Sequence, residues 1–254
     1  MRIEQSFIPV RGVGEATERR LWEAGVTRWR EFDGSVVGPT TADRIEAFVD
    51  EAVDRLATAD ADYFAARFPD GERWRLYEDF RDDAAFFDIE TTGLDHASDR
   101  VTAVSVHRGG ETTTLVRGDD LTADALGEHL TDAPLLVTFN GARFDVPFLE
   151  TSFDVSLDRP HLDLMYPCRR LGLTGGLKRI EREVGIERDL PDVSGRDAVR
   201  LWRAHERGDR SALDRLVAYN REDAVNLRTL ADHVTARLHR ETVPETGPPG
   251  PGRF

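Results

Sequence analysis

Residues 84–94, Ala84-Ala85-Phe86-Phe87-Asp88-Ile89-Glu90-Thr91-Thr92-Gly93-Leu94, begin as an apolar run and end in an acidic, glycine-terminated turn. The run has the length and aromatic content of a buried strand. A strand's period of two then puts Asp88 and Glu90 on one face. Two carboxylates on one face at the edge of a core repel each other unless they share a proton or a cation. A divalent metal is the natural cation. Thr91-Thr92-Gly93 ends the strand and lets the chain turn tightly beside the acids. The Asp-x-Glu pair alone carries little weight, since about nine such carboxylate pairs arise by chance with 48 acids in 254 residues. Its surroundings give it weight.

Two strands follow, over 101–107 and 111–116, joined by the hairpin turn Arg108-Gly109-Gly110. A helix over 122–130 then leads to Leu135-Leu136-Val137-Thr138-Phe139, a continuous apolar strand of the kind buried on both faces. Three antiparallel strands and a right-handed crossover to a parallel one are therefore expected. Asp145 comes just after this strand, in Asn140-Gly141-Ala142-Arg143-Phe144-Asp145, with Pro147 in the first turn of a helix over 146–153. Taken alone it reads as a helix N-cap. The crossover makes its strand a neighbour of the one carrying Asp88, so both strand ends face one crevice, where open α/β sheets bind ligands. Asp145 can cap and still reach a metal through water.

Further helices are expected over 164–171, 177–184 and 211–238. On the last, Tyr219 and Asp223 are four residues apart and share a face beside the stripe of Leu213, Leu216, Leu227, Ala231 and Val234. They flank the buried side, where they could meet the strand-borne acids. Asn220 falls inside the stripe and reads as a satisfied core amide or as a group orienting a site water. Glu222 reads as solvent-facing, Asp163 as the cap of the helix from Leu164, and His161 as structural. Arg143, Arg169, Arg170, Lys178 and Arg179 are either phosphate contacts near the crevice or solvated surface.

Upstream, residues 1–58 form a helical unit. Gly12 and Gly14, in Arg11-Gly12-Val13-Gly14-Glu15, can take positive φ and present successive amides at a helix N-terminus, a ready anion site. The segment resembles a helix-hairpin-helix module; it reads equally as a glycine turn in a cap with Leu21, Val26, Trp29 and Phe32 as core. A second helix runs over 41–56 on the period of Ile45, Phe48, Val49, Ala52, Val53 and Leu56. Residues 59–83 read as helical connectors whose aromatics dock the two units, with stacking on bases as the other reading. Residues 239–254, ending in a proline- and glycine-rich stretch, read as a disordered tail.

Composition bounds the rest. No apolar stretch approaches the roughly 20 residues of a membrane span, and the first residues lack a signal peptide's apolar core. A cytoplasmic, globular protein is expected, with Cys168 a lone structural thiol. The net charge of −14 and pI near 5.0 should repel phosphate. That objection weakens in concentrated salt, where the Debye length is about 3 Å at 1 M. Lys178 is the only lysine, and acids are spread along the chain. The composition resembles that of proteins from salt-loving microbes.

The Asp-Ile-Glu-Thr-Thr-Gly-Leu, Phe-Asn-Gly-Ala-Arg-Phe-Asp and Tyr-x-x-x-Asp segments resemble the three motifs of the DEDD (DnaQ-like) exonuclease superfamily, over residues 84–238. His161-Leu162-Asp163-Leu164, Gly176-Leu177-Lys178-Arg179-Ile180-Glu181 and Tyr219-Asn220-Arg221-Glu222-Asp223 resemble the YprB-like branch of ribonuclease-H-like proteins. Position 218 holds Ala218 where the histidine form has His, which implies the tyrosine subclass. The resemblance implies an α/β ribonuclease-H-like mixed sheet flanked by helices and two Mg²⁺ or Mn²⁺ ions. Asp88 would bridge both ions, Glu90 and Asp223 would hold the nucleophile-side ion, and Asp145 would support the other through water. Oxygen ligands suit these metals, and a cation pair stabilises both the attacking and the leaving oxygen of a phosphoryl displacement. Tyr219, with an ordinary pKa near 10, is a poor base at neutral pH and is assigned to orienting the attacking water. Thr91, Gly93, Leu94, Asn140 and Phe144, with Gly12 and Gly14, are expected to contact substrate. The implied activity is 3′-to-5′ exonuclease action on DNA or RNA with a free 3′ end, DNA being favoured by the hairpin-like module. A structure-selective endonuclease, an adaptor on an inactive scaffold, and a sheet with an unrelated ligand are the other readings. Intact Asp88, Glu90, Asp145, Tyr219 and Asp223 argue against decay, and protein partners stay open.

Overall fold

The run around Phe86 forms β1 (Ala85–Thr91), the middle of five strands among the described residues. With it lie β2 (Val101–Arg108), β3 (Glu111–Val116), β4 (Leu136–Thr138) and β5 (His161–Asp163), in the order β3-β2-β1-β4-β5. This is a computed structural model, and it describes residues 1–244. β1, β2 and β3 pair antiparallel, whereas β4 pairs parallel to both β1 and β5. The expected mixed, ribonuclease-H-like sheet is the one that forms. β5 was not expected: His-Leu-Asp is too short to show a period, and its register beside β4 supplies what the sequence lacks.

The register also opens the site. β4 pairs with β1 only at Ala85↔Leu136 and Phe86↔Val137, yet β1 runs on to Thr91. Beyond Phe86, β1 therefore has a strand on its β2 side alone, and a bulge between Glu90 and Thr91 loosens that side at its end.

The helices are α1 (Glu15–Glu23), α2 (Pro39–Ala57), α3 (Ala61–Ala65), α4 (Tyr77–Phe80), α5 (Ala123–Leu130), α6 (Asp145–Phe153), α7 (Met165–Arg170), α8 (Leu177–Val184), α9 (Gly195–Glu206) and α10 (Arg210–Thr242). Ala85, Phe87 and Ile89 turn one face of β1 into a core with Val104, Val106, Leu126 and Phe148, which brings in α5 and α6. Helix α9 was not anticipated. Its Ser194–Asp197 capping box is a clear start signal, but only Ala198 and Trp202 are buried, among arginines that hide the period. Helix α10 continues to Thr242, four residues into the stretch expected to be tail. Residues 245–254 of that stretch lie outside the described residues.

The chain divides into two compact units: Met1–Asp79 with the described residues from Thr235 onward, and Phe80–Val234. In the first, Leu21, Trp22, Ile45, Phe64, Leu76 and Tyr77 are buried around a charged centre. Arg75 there is fully buried between Glu18, at 2.9 Å, and Glu72, at 2.5 Å. Tyr63 stacks on Phe48 and meets Phe64 edge-on, so these connector aromatics are core of this unit. Gly12 takes the expected positive φ of 93°, but Gly14 is extended at −112° and serves as N-cap of α1. A single 3-10 turn, Ile3–Gln5, precedes this glycine turn in place of a second α-helix. Among the described residues no helix is long and apolar enough to cross a membrane. Cys168 is buried, and burial pushes its thiol up to about 12, so it stays protonated at neutral pH.

Candidate active site

Asp88 and Glu90 share one face of β1, as period two requires, and Asp223 of α10 joins them. One carboxylate oxygen from each lies within 4.8 Å of the other two. The fourth acid arrives through the gap that β4 leaves. Where β4 no longer pairs, the backbone amide of Ile89 donates to the Asp145 carboxylate, which also accepts from its own amide. Asp145 is thus the first residue of α6, and the capping position is Phe144, with no side-chain cap bond. From α10, Asn220 Nδ2 donates to Asp88 Oδ2 at 2.8 Å and to the Asp88 carbonyl at 3.1 Å. Tyr219 lies one turn before Asp223, and the two side chains are hydrogen-bonded.

Four acids in so dry a place cannot all ionise freely. Glu90, Asp145 and Asp223 are each 7% exposed or less. Burial, then the charges of Asp223 and Asp145, hold Asp88 and Glu90 well above the usual carboxylate range. Burial likewise raises Asp145 to about 7 and Asp223 to about 6, the latter against the opposing pull of Arg188. Burial also raises the Tyr219 hydroxyl, with Asp223 adding to it, which keeps the phenol protonated. The cluster offers only hard oxygen donors and is short of positive charge. Both properties fit Mg²⁺ or Mn²⁺: Asp88, Glu90 and Asp223 would ligate directly, with Asp145 beside them.

A family model of the RNase H superfamily matches residues 85–235, the stretch that carries all four acids. This chain belongs to the RNase H superfamily. Solved structures similar to this superfamily member include Brucella melitensis NrnC with bound Mg²⁺, 22% identical, covering 65% of this chain and 78% of that one with a TM-score of 0.47. The same protein bound to pGG gives 22%, the same coverage and 0.48. The family B DNA polymerase of the hyperthermophilic archaeon Pyrobaculum calidifontis is 18% identical, over 60% of this chain and 27% of that one, at 0.47. No curated protein matches.

Several residues of this RNase H superfamily member differ from their sequence reading. Glu222 is not solvent-facing: it accepts from the amides of Asp189 and Leu190, the latter at 3.4 Å, and pairs with Arg188 at 3.2 Å. Asp163 is not the cap of α7, whose N-cap is Leu164; it accepts from the amides of Met165 at 3.0 Å, Asn140 at 2.7 Å and Ala142 at 3.2 Å. It thereby holds the turn that delivers Asp145. Asn220 is a positioning residue for Asp88. His161 is structural, with Nε2 2.8 Å from Thr138 Oγ1.

Of the expected substrate contacts, Thr91 Oγ1 donates to the Gly93 carbonyl at 2.5 Å, which shapes the turn, and Leu94 is 85% exposed beyond it. Asn140 adopts the left-handed conformation, φ 66°, and Phe144 packs on Phe148 at 4.9 Å. Gly12 and Gly14 belong to the other unit. Arg143, Arg169, Arg170 and Arg179 are exposed. Lys178 Nζ is buried 4.5 Å from the centre of the Tyr219 ring, and burial lowers its pKa. Sequence reasoning missed Arg188 entirely, because it lies in an irregular stretch between α8 and α9 with no motif around it.

Proposed function

We propose that this protein is a metal-dependent nuclease of the DEDD type, tyrosine subclass, YprB-like, that shortens DNA or RNA from a free 3′ end in the cytoplasm. The observation that carries the reading is the convergence of Asp88, Glu90 and Asp223 within 4.8 Å, with Asp145 brought in by the Ile89 amide. When bound, two divalent cations would supply Lewis acidity to the attacking and leaving oxygens. The chain does the rest. Asn220 fixes the Asp88 carboxylate. We assign Tyr219, beside Asp223, to orienting the water, and Thr91, Gly93, Leu94, Asn140 and Phe144 to the substrate strand. We assign catalysis to residues 84–238, and phosphate-backbone binding through Gly12 and Gly14 to residues 1–58.

Purified protein would be incubated in molar KCl with Mg²⁺ or Mn²⁺ and 5′-labelled single-stranded DNA, duplex DNA and RNA, beside Asp88→Asn. A ladder of shortening labelled products, absent with chelator or in the variant, is the expected result. Internal cuts would favour an endonuclease, and intact substrate in every lane would overturn the reading.

A further inference from the structure

Arg188 stands outside every motif that marks the site, yet its side chain is only 6% exposed and is surrounded by carboxylates. Nη1 is 2.5 Å from Glu181 Oε2, and Nη2 is 3.2 Å from Glu222 Oε2 while also bonding Asp223 Oδ1. Glu181 and Glu222 are not part of the metal-type cluster; Asp223 is. The guanidinium is therefore anchored by two acids of its own and borrows a third from the cluster. Lys178, the other buried cation here, lies on the Tyr219 ring without a hydrogen-bond partner.

We propose that Arg188 is a built-in counter-cation for Asp223: it neutralises that carboxylate in the metal-free protein and is displaced from it when a divalent ion binds. The inference rests on the metal-dependent reading above. An arginine does not deprotonate in a protein, so its charge leaves Asp223 only if the side chain moves. A cavity of about 640 Å³ bordered by Lys178, Arg182, Ile186, Arg188 and Pro191 gives it room to do so. Glu181 and Glu222 keep it tethered nearby. Arg188 thereby sets how strongly the site holds metal, trading affinity for a stable metal-free fold.

The test measures Mn²⁺ affinity, from the electron paramagnetic resonance signal of free Mn²⁺, and thermal unfolding in chelator, for the wild type, Arg188→Gln and Arg188→Lys. Removing a competing cation should tighten Mn²⁺ binding about tenfold in Arg188→Gln, about 1.4 kcal/mol, while the metal-free melting temperature falls. A merely structural arginine would lower both. Lysine keeps the charge but cannot fork between two carboxylates, so Arg188→Lys should bind about threefold tighter and carries the test should the glutamine variant fail to fold. Unchanged or weaker Mn²⁺ binding in the folded variant overturns the proposal. A wild type that binds no Mn²⁺ would instead bring down the metal-dependent reading, which separates the two failures.

Discussion

Replacing Asp145 with asparagine should make the metal-free protein more stable at pH 8. Asp145 is 4% exposed, and burial raises its carboxyl from 3.8 to about 7. With the folded value above the unfolded one, folding favours the protonated form. That contribution is complete below about pH 4 and is lost as the pH rises through about 7. A shift of about three units corresponds to about 4 kcal/mol, the upper limit of what it costs to hold this group ionised without metal. The gain is therefore at most about 4 kcal/mol, or a rise of at most about 8–16 °C in a domain of this size. Thermal unfolding in chelator at pH 8 and pH 5 reads it directly, and the advantage over wild type should shrink to less than half at pH 5 and vanish below about pH 4. Saturating Mn²⁺ should then stabilise the wild type more than Asp145→Asn. A variant that melts below the wild type at pH 8 in chelator would refute the claim that charge burial dominates at this position.

Three other substitutions probe the support around the acids. Asn220→Ala removes the 2.8 Å donor to Asp88 Oδ2 and should weaken Mn²⁺ binding about tenfold or more with the fold retained, as calorimetric titration would show. Asp163→Ala frees the amides of Asn140, Ala142 and Met165 and should lower stability by at least about 2 kcal/mol; denaturant midpoints unchanged from wild type would contradict it. Gly141→Ala places a methyl group into the Thr138 side chain, so the turn before Asp145 must shift. A loss of about 1–3 kcal/mol in chemical unfolding is expected, together with reduced nuclease activity.

The long periodic segments were legible: β1 to β4, α2, α5, α8 and the middle of α10 fall within a few residues of where apolar spacing puts them. Asp88, Glu90, Asp145, Tyr219 and Asp223 were legible because each lies on such a segment, and topology brings those segments together. What escaped is irregular or short. The strand β5 has three residues and no room for a period, and α9 buries so little that its charged face dominates the pattern. Arg188 is one of many arginines in a chain whose charge looks like surface, and only the fold distinguishes the one enclosed by Glu181, Glu222 and Asp223. Glu222 was misplaced for a related reason: helical phase puts it off the α10 stripe, but the backbone of Asp189 and Leu190 covers it.

The brevity of β4 has a consequence for how such a site can be lost. The Ala85 amide donates to Leu135 across the β1–β4 seam, and period two turns the Ile89 amide toward the same side. That amide is available to Asp145 because β4 has already ended. An insertion of two residues that let β4 zip further along β1 would claim it for the ladder and evict Asp145, with every acid still present in the sequence. The cluster can therefore be taken apart through strand length, where a comparison of motif letters would not detect it.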